Sequence, residues 1–215
     1  MKNVENVVKE DTKSKRKKDI IEAAKELFIN KGLYLTTMSD IAQEIGITRR
    51  TLYRYFKTKE ELAFEIEILL FSDLYNFQNK IYQNLNGTGI EKLEVFLEEM
   101  LNYVKKNSNI IKFSGVFDYY FKKEYPNQIQ TQRFLSMISS NDYLLEKIIE
   151  DGINDGSMRS DLDCKLTGLT ISNVLLSLSQ RILMREDHLD VEQGIVSRKM
   201  IDHQVKLFIY ALKSK

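Results

Sequence analysis

Helix breakers are scarce in this chain, with one proline and nine glycines among 215 residues. That scarcity, beside plentiful Leu, Ile, Lys and Glu, excludes a turn-rich β protein and favours a mostly helical one. A single cysteine, Cys164, excludes an internal disulfide. Long apolar runs are missing as well. The densest piece, 66–71, is interrupted by Glu67 and bounded by Glu65 and Ser72, far short of the ~20 apolar residues a membrane span needs. No basic, apolar and small-residue leader opens the sequence, so the expected compartment is the reducing cytoplasm. Catalytic and metal-binding signatures are also absent. His188 and His203 stand alone near the end, with no glycine-rich phosphate loop and no HExxH spacing. His188 reads as a solvated turn residue and Cys164 as a small, partly buried one. The expectation is no catalytic residue, no metal and no cofactor.

What is present suits a folded protein: 43% of residues are apolar and the formal net charge is only +1. That balance conceals an asymmetry. Residues 1–60 hold 14 Lys/Arg against 9 Asp/Glu, leaving 18 against 22 for the remainder. A basic lobe on an otherwise acidic chain is the electrostatic footprint of a nucleic-acid partner, and a solvated lysine-rich tail is the alternative for residues 2–13.

Residues 1–14 lack apolar periodicity and read as a flexible arm. From Lys15 the spacing of Ile20, Ala24, Leu27 and Phe28 predicts a helix with one buried stripe, ended by Gly32. Thr37 with Asp40 forms a capping box for a second helix that turns Ile41, Ala42 and Ile45 inward and closes at Gly46. Thr48 then caps a third helix, to about Phe56, with Leu52 and Phe56 inward. Thr58 with Glu61 caps a long helix that runs to the break at 86–89. Further helices are expected over 90–106, 129–151, 163–186 and 190–213, with an aromatic piece at 113–125 stopped by Pro126.

Two short helices joined by a glycine turn and preceded by a third match the helix-turn-helix layout, whose second helix lies in a major groove. On that helix the outward face carries Arg49, Arg50, Thr51, Tyr53, Arg54 and Tyr55. Guanidinium forks fit the O6 and N7 acceptors of guanine, and Thr and Tyr hydroxyls suit phosphate oxygens.

The stretch "TTMSDIAQEIGITRRTLYRYFKTKEEL" resembles the DNA-binding segment of TetR-type transcriptional regulators, and the likeness covers roughly residues 15–62. A weaker likeness lies in "EDGINDGSMRSDLD", residues 150–163, similar to the junction before the last two helices of such proteins. The resemblance implies an all-α fold: an N-terminal three-helix DNA-binding domain over 15–60, joined by a long helix to a larger effector-binding and dimerisation domain over 61–215. It also implies a homodimer through residues 163–213 on a palindromic double-stranded operator. Carried over by position, Thr37, Ser39, Thr48, Thr51, Tyr55, Lys57 and Lys59 are phosphate contacts. Arg49, Arg50, Tyr53 and Arg54 are then the base-edge candidates, while Lys15 to Lys18 follow the backbone or enter the minor groove. Ser39 departs from the pattern, since many relatives carry a basic residue there.

For the sensing half, Phe113, Phe117, Tyr120 and Phe121, with Met100, Tyr103 and Phe134, are the candidates for an apolar effector pocket. Ordinary core packing is the alternative for each. Val191, Ile195, Ile201, Val205, Phe208 and Leu212, facing Leu169, Val174, Leu175, Leu178 and Ile182, supply the expected dimer face. The function expected is a repressor released from its operator by a small molecule. A DNA-binding adaptor controlled by a protein partner and a helical enzyme are the alternatives.

Overall fold

In a computed structural model, the structure describes residues 2–123, 125, 128–141, 143–185 and 187–214. Pro126, expected to stop the aromatic piece, lies outside the described residues, as do the side chains of residues 2–12. Eleven α-helices follow in order among the described residues: α1 Lys2–Lys31, α2 Met38–Glu44, α3 Arg49–Tyr53, α4 Lys59–Gln83, α5 Gly89–Lys106, α6 Ser108–Tyr120, α7 Gln128–Asn141, α8 Tyr143–Asn154, α9 Cys164–Arg185, α10 Asp187–Gln193 and α11 Arg198–Leu212. No described residue belongs to a strand, apart from an isolated bridge between Met158 and Lys213.

Several boundaries differ from those the sequence suggests. Helix α1 runs back to Lys2 through the segment read as an arm; with neither Gly nor Pro there, nothing in the local sequence stops a helix. Residues 128–141 and 143–154 are helical, as expected over 129–151, and residue 142 between them lies outside the described residues. Residues 187–190, expected to separate the last two helices, belong to α10, and Gly194, with φ +65°, makes the turn before α11.

The chain divides into two compact units, Met1–Leu69 with Val116–Phe134, and Leu70–Gly115 with Leu135–Lys215. The first unit buries Ile20, Ala24 and Phe28 of α1 with Ile41, Leu52, Phe56, Leu62 and Phe64. This is the single stripe read from α1 meeting the inward residues of the next three helices.

In the second unit α5 packs on α8 and α11, and α9 packs on α8 and α11, around Leu93, Phe96, Leu97, Ile148, Ile149, Ile171 and Ile182. The junction at 150–163 ties these helices together. Asp155 accepts from Gly89 N–H at 2.6 Å, Ser157 Oγ accepts from Ile90 N–H at 3.1 Å, and Arg159 N–H donates to Leu212 O at 3.0 Å. Gly89 is required by close approach, since a Cβ there would collide with the backbone of Gly152. Gly89→Ala therefore forces two backbones apart, and a loss of about 1–3 kcal/mol in unfolding free energy is expected by denaturant titration.

Candidate nucleic-acid interface and apolar cavity

The reading head is assembled from local signals. Gly32 takes φ +83° at the end of α1, and buried Thr36 donates its hydroxyl back to Gly32 O at 2.8 Å. Thr37 then caps α2: its Oγ1 accepts from Asp40 N–H at 3.2 Å while Asp40 accepts from Thr37 N–H at 2.9 Å. Lys31 donates to the same carboxylate at 2.8 Å, and this bond with those from Thr37 holds the Asp40 carboxyl down at about 2. Gly46, at φ +65°, closes α2 in a Schellman turn, with Ile47 N–H on Ala42 O and Gly46 N–H on Gln43 O. Thr48 caps α3 by accepting from Thr51 N–H at 3.1 Å.

Helix α3 is five residues long and buries only Leu52. Its remaining surface is the candidate contact face. Arg49, Arg50, Tyr53 and Arg54 are exposed, with Arg54 at the C-cap, and Thr51 and Tyr55 are half-buried beside them. Among the described residues no carboxylate pairs with Arg49, Arg50 or Arg54, so three guanidinium groups stand on one short surface without protein counter-ions. Thr37, Ser39 and Lys57 are exposed, and the Thr48 and Thr51 hydroxyls lie 2.9 Å apart in a shared hydrogen bond.

Lys59 sits differently from the other phosphate candidates. Its ammonium donates to the carbonyls of Leu33, Tyr34 and Thr36 and stands 5.4 Å from the centre of the Tyr120 ring. Its donors hold the turn between α1 and α2. Lys17, grouped by sequence with the DNA-following lysines, instead pairs with Glu65 at 2.6 Å, and Arg133 reaches that carboxylate at 3.1 Å. Burial opposes ionisation of Glu65, but Lys17 and Arg133 outweigh it and lower the carboxyl below its ordinary range. The structure also adds two cations that sequence reasoning did not single out as a pair. Lys13 and Arg16, one turn apart on α1, line a groove with Gly46, Thr48, Thr51 and Arg54. Their i, i+3 spacing was the available signal.

The aromatic residues expected to form an effector pocket separate into different places. Phe117, Phe121, Tyr125 and Phe134 pack around Phe64 of α4 with ring centres 4.8–6.0 Å away. Phe117, Phe121 and Phe134 are thus core of the first unit, where edge-to-face ring packing fills the space. Tyr120 lies at the edge of that cluster. Its ring is 4.6 Å from that of Tyr34, and its hydroxyl donates to Glu60 Oε1 at 2.6 Å. Burial first, then the Glu60 carboxylate, raises the hydroxyl far above its usual value, so the bond is donated throughout the working pH range. Tyr120→Phe is expected to destabilise the first unit by about 1.5–3 kcal/mol, the net worth of a hydrogen bond to a charged group, measured by denaturant unfolding.

A cavity of about 160 Å³ lies in the second unit. Helices α4, α5, α6, α8 and α9 wall it, with Leu74, Phe96, Leu97, Leu101, Ile171 and Leu175 among the apolar lining and Tyr75, Gln78, Ser172 and Ser179 as polar points. Among the described residues no charged side chain lines it. Of the sequence candidates Met100 is on its wall, whereas Tyr103 stacks on Phe77 at 4.2 Å and Phe113 is fully buried away from the lining.

Residues 20–66 match the family model described as "Bacterial regulatory proteins, tetR family". The chain is 27% identical over 160 residues to the HTH-type transcriptional repressor KstR2 of Rhodococcus jostii, covering 72% of this chain and 73% of the relative. It is 25% identical over 159 residues to the fatty acid metabolism regulator protein of Bacillus subtilis, covering 72% and 77%. Solved structures share its fold. The ketosteroid transcriptional regulator KstR2 of Mycobacterium tuberculosis aligns with a TM-score of 0.70 at 18% identity over 93% of this chain and 96% of its own. FadR from Bacillus subtilis, solved in complex with stearoyl-CoA, aligns with a TM-score of 0.69 at 19% identity over 90% and 97%.

Proposed function

Its DNA-binding segment makes this chain a TetR-type regulator, and from that premise we propose that it is a homodimeric repressor released from a palindromic operator by an apolar small molecule. The observation that carries the DNA half is the set of guanidinium groups on α3 without carboxylate partners, held outward by a short helix whose only buried side chain is Leu52. In this reading residues 15–60 bind DNA. Arg49, Arg50, Tyr53 and Arg54 meet base edges, and Thr37, Ser39, Thr48, Thr51, Tyr55 and Lys57 meet phosphates, with Lys13 and Arg16 extending the backbone track. Lys59 acts through the turn it holds. A cavity lined by no charged side chain among the described residues supports an effector with an apolar body, and the stearoyl chain of the stearoyl-CoA bound in the structurally similar FadR is of that kind. No helix among the described residues is long and apolar enough to cross a membrane, and no group of three or more His, Cys, Asp or Glu there is placed to hold a metal. We take the working compartment to be the cytoplasm.

Part of the apolar face expected to pair two copies is interior. Ile182, Ile201, Val205 and Leu212 are buried in the protomer's own core. Of that face Val174, Val191 and Ile195 stay exposed, and so do Leu166 and Met184 on α9 with Leu207 and Tyr210 on α11, the last 85% exposed. These exposed residues are the dimer surface in this reading. Leu207→Glu with Tyr210→Glu should convert the dimer to monomer in sedimentation at micromolar concentration, and a wild-type sedimentation coefficient for that variant would remove this face from the interface. The function itself is tested by selecting an operator from random DNA and titrating the complex with apolar compounds. Release of the operator is expected; a selection that enriches no sequence would end the repressor reading.

A further inference from the structure

The cavity of the second unit is small, and two of its walls carry a polar side chain where a core-facing stripe is ordinarily apolar. Its volume of about 160 Å³ is close to that of an apolar cavity, about 150 Å³, that takes up a single benzene ring. A long chain exceeds it. On α4 the residues turned to the cavity are Phe71, Leu74, Tyr75 and Gln78, spaced i, i+3, i+4 and i+7. On α9 Ile171, Leu175 and Ser179 follow at i, i+4 and i+8. Ser179 is 4% exposed and Gln78 is half-buried. Neither side chain makes a hydrogen bond to the protein among the described residues, whereas buried polar groups are ordinarily paired.

An unpaired hydroxyl and an unpaired amide on the walls of one apolar space ask for a donor or acceptor that the fold does not supply. With no charged side chain in the lining among the described residues, an ionised ligand would lose its hydration there and gain no counter-ion. A pure hydrocarbon would leave both groups unpaired, at a cost in free energy. We propose that the effector is a compact, uncharged molecule, one ring or a short chain in size, whose hydroxyl or carbonyl group takes the hydrogen bond that Ser179 and Gln78 leave open. The inference rests on the cavity being the effector site and adds the size, the charge and the polar group of the ligand. Sequence spacing could not reveal it, because residues 78 and 179 line one space only once α4 and α9 are folded.

The test titrates the full chain with toluene, benzyl alcohol, acetophenone and benzoate, followed by ligand-observed NMR. Benzyl alcohol or acetophenone should bind about fivefold more tightly than toluene, the worth of one net hydrogen bond, and benzoate should bind weakest. Ser179→Ala combined with Gln78→Leu should abolish that preference while toluene binds at least as well as before, which also shows that the variant is folded. Equal binding of toluene and the two polar compounds by the wild type, or a preference that survives the double substitution, would overturn the hydrogen-bonding site while leaving an apolar effector in place. Tightest binding by benzoate would overturn the uncharged class. If none of the four binds while a larger apolar compound still releases the operator, the compact size is wrong and the effector reading stands; if no compound binds or releases, both fail.

Discussion

Replacing Arg49, Arg50 or Arg54 with alanine is expected to weaken binding to the selected operator by about 1–3 kcal/mol wherever that arginine makes a bidentate guanine contact, and to weaken binding to random DNA far less. The three side chains are exposed and have no carboxylate partner among the described residues, so none contributes a described ion pair whose loss would unfold the domain. The substitution then reports on recognition rather than stability. Salt dependence separates the roles. Removing an arginine that binds phosphate takes about one counterion off the slope of log affinity against log salt, whereas removing one that binds a base edge leaves that slope nearly unchanged. An arginine whose removal costs the same on both DNAs is a backbone contact. Double substitutions should add where the arginines meet different base pairs.

The second large effect is thermodynamic coupling. If an effector bound in the cavity of the second unit weakens operator binding, operator must weaken effector binding by the same factor, because the two affinities close one cycle. A coupling of ~5 to 150-fold is the ordinary range. A two-fold dimer meets successive major grooves only if its recognition helices sit about 34 Å apart or a multiple of that, so an effector need only favour another spacing. Effector affinity measured with and without saturating operator decides the point. Equal values, in a system where the effector still releases DNA, would mean that the ligand competes at the DNA surface, and the cavity would have no part in release. Enlarging the side chain at Leu175, on the cavity wall, should reduce effector affinity while leaving operator affinity in the absence of effector unchanged.

The parts of this molecule legible in its sequence are those set by neighbours a few residues apart. The Thr37–Asp40 box, the Thr48 cap, the Thr58 cap on Glu61 N–H at 3.0 Å and the terminal glycines 32 and 46 stand where their local chemistry puts them. So does the buried stripe of Ile20, Ala24 and Phe28. What escaped reading depends on tertiary encounters. The sequence offers no sign that Lys59 would turn to carbonyls 23 to 26 residues earlier, or that Lys17 would meet Glu65 across 48 residues. Aromatic density at 113–125 signals apolar demand without saying whether rings or ligand will meet it; here Phe64 meets it for Phe117 and Phe121. The cavity wall is made mostly of ordinary leucines, isoleucines and phenylalanines. Their composition matches that of any helical core, and only the space between them distinguishes it.

The brevity of α3 has a bearing on how this protein behaves as it warms. A five-residue helix does not hold itself together in water, because nucleation costs more than one turn of hydrogen bonds returns. Its shape is borrowed from Leu52 in the core, the Thr48 cap and the turn at Gly46. Amide protons of α3 should therefore exchange with solvent only as fast as the three-helix unit opens, with no separate, faster fraying mode in its centre. Recognition is then all or none at the level of each head. Heating or a core substitution in α1 should lower the fraction of heads able to read DNA without changing which sequence they read, and operator preference should persist up to the melting transition even as occupancy declines.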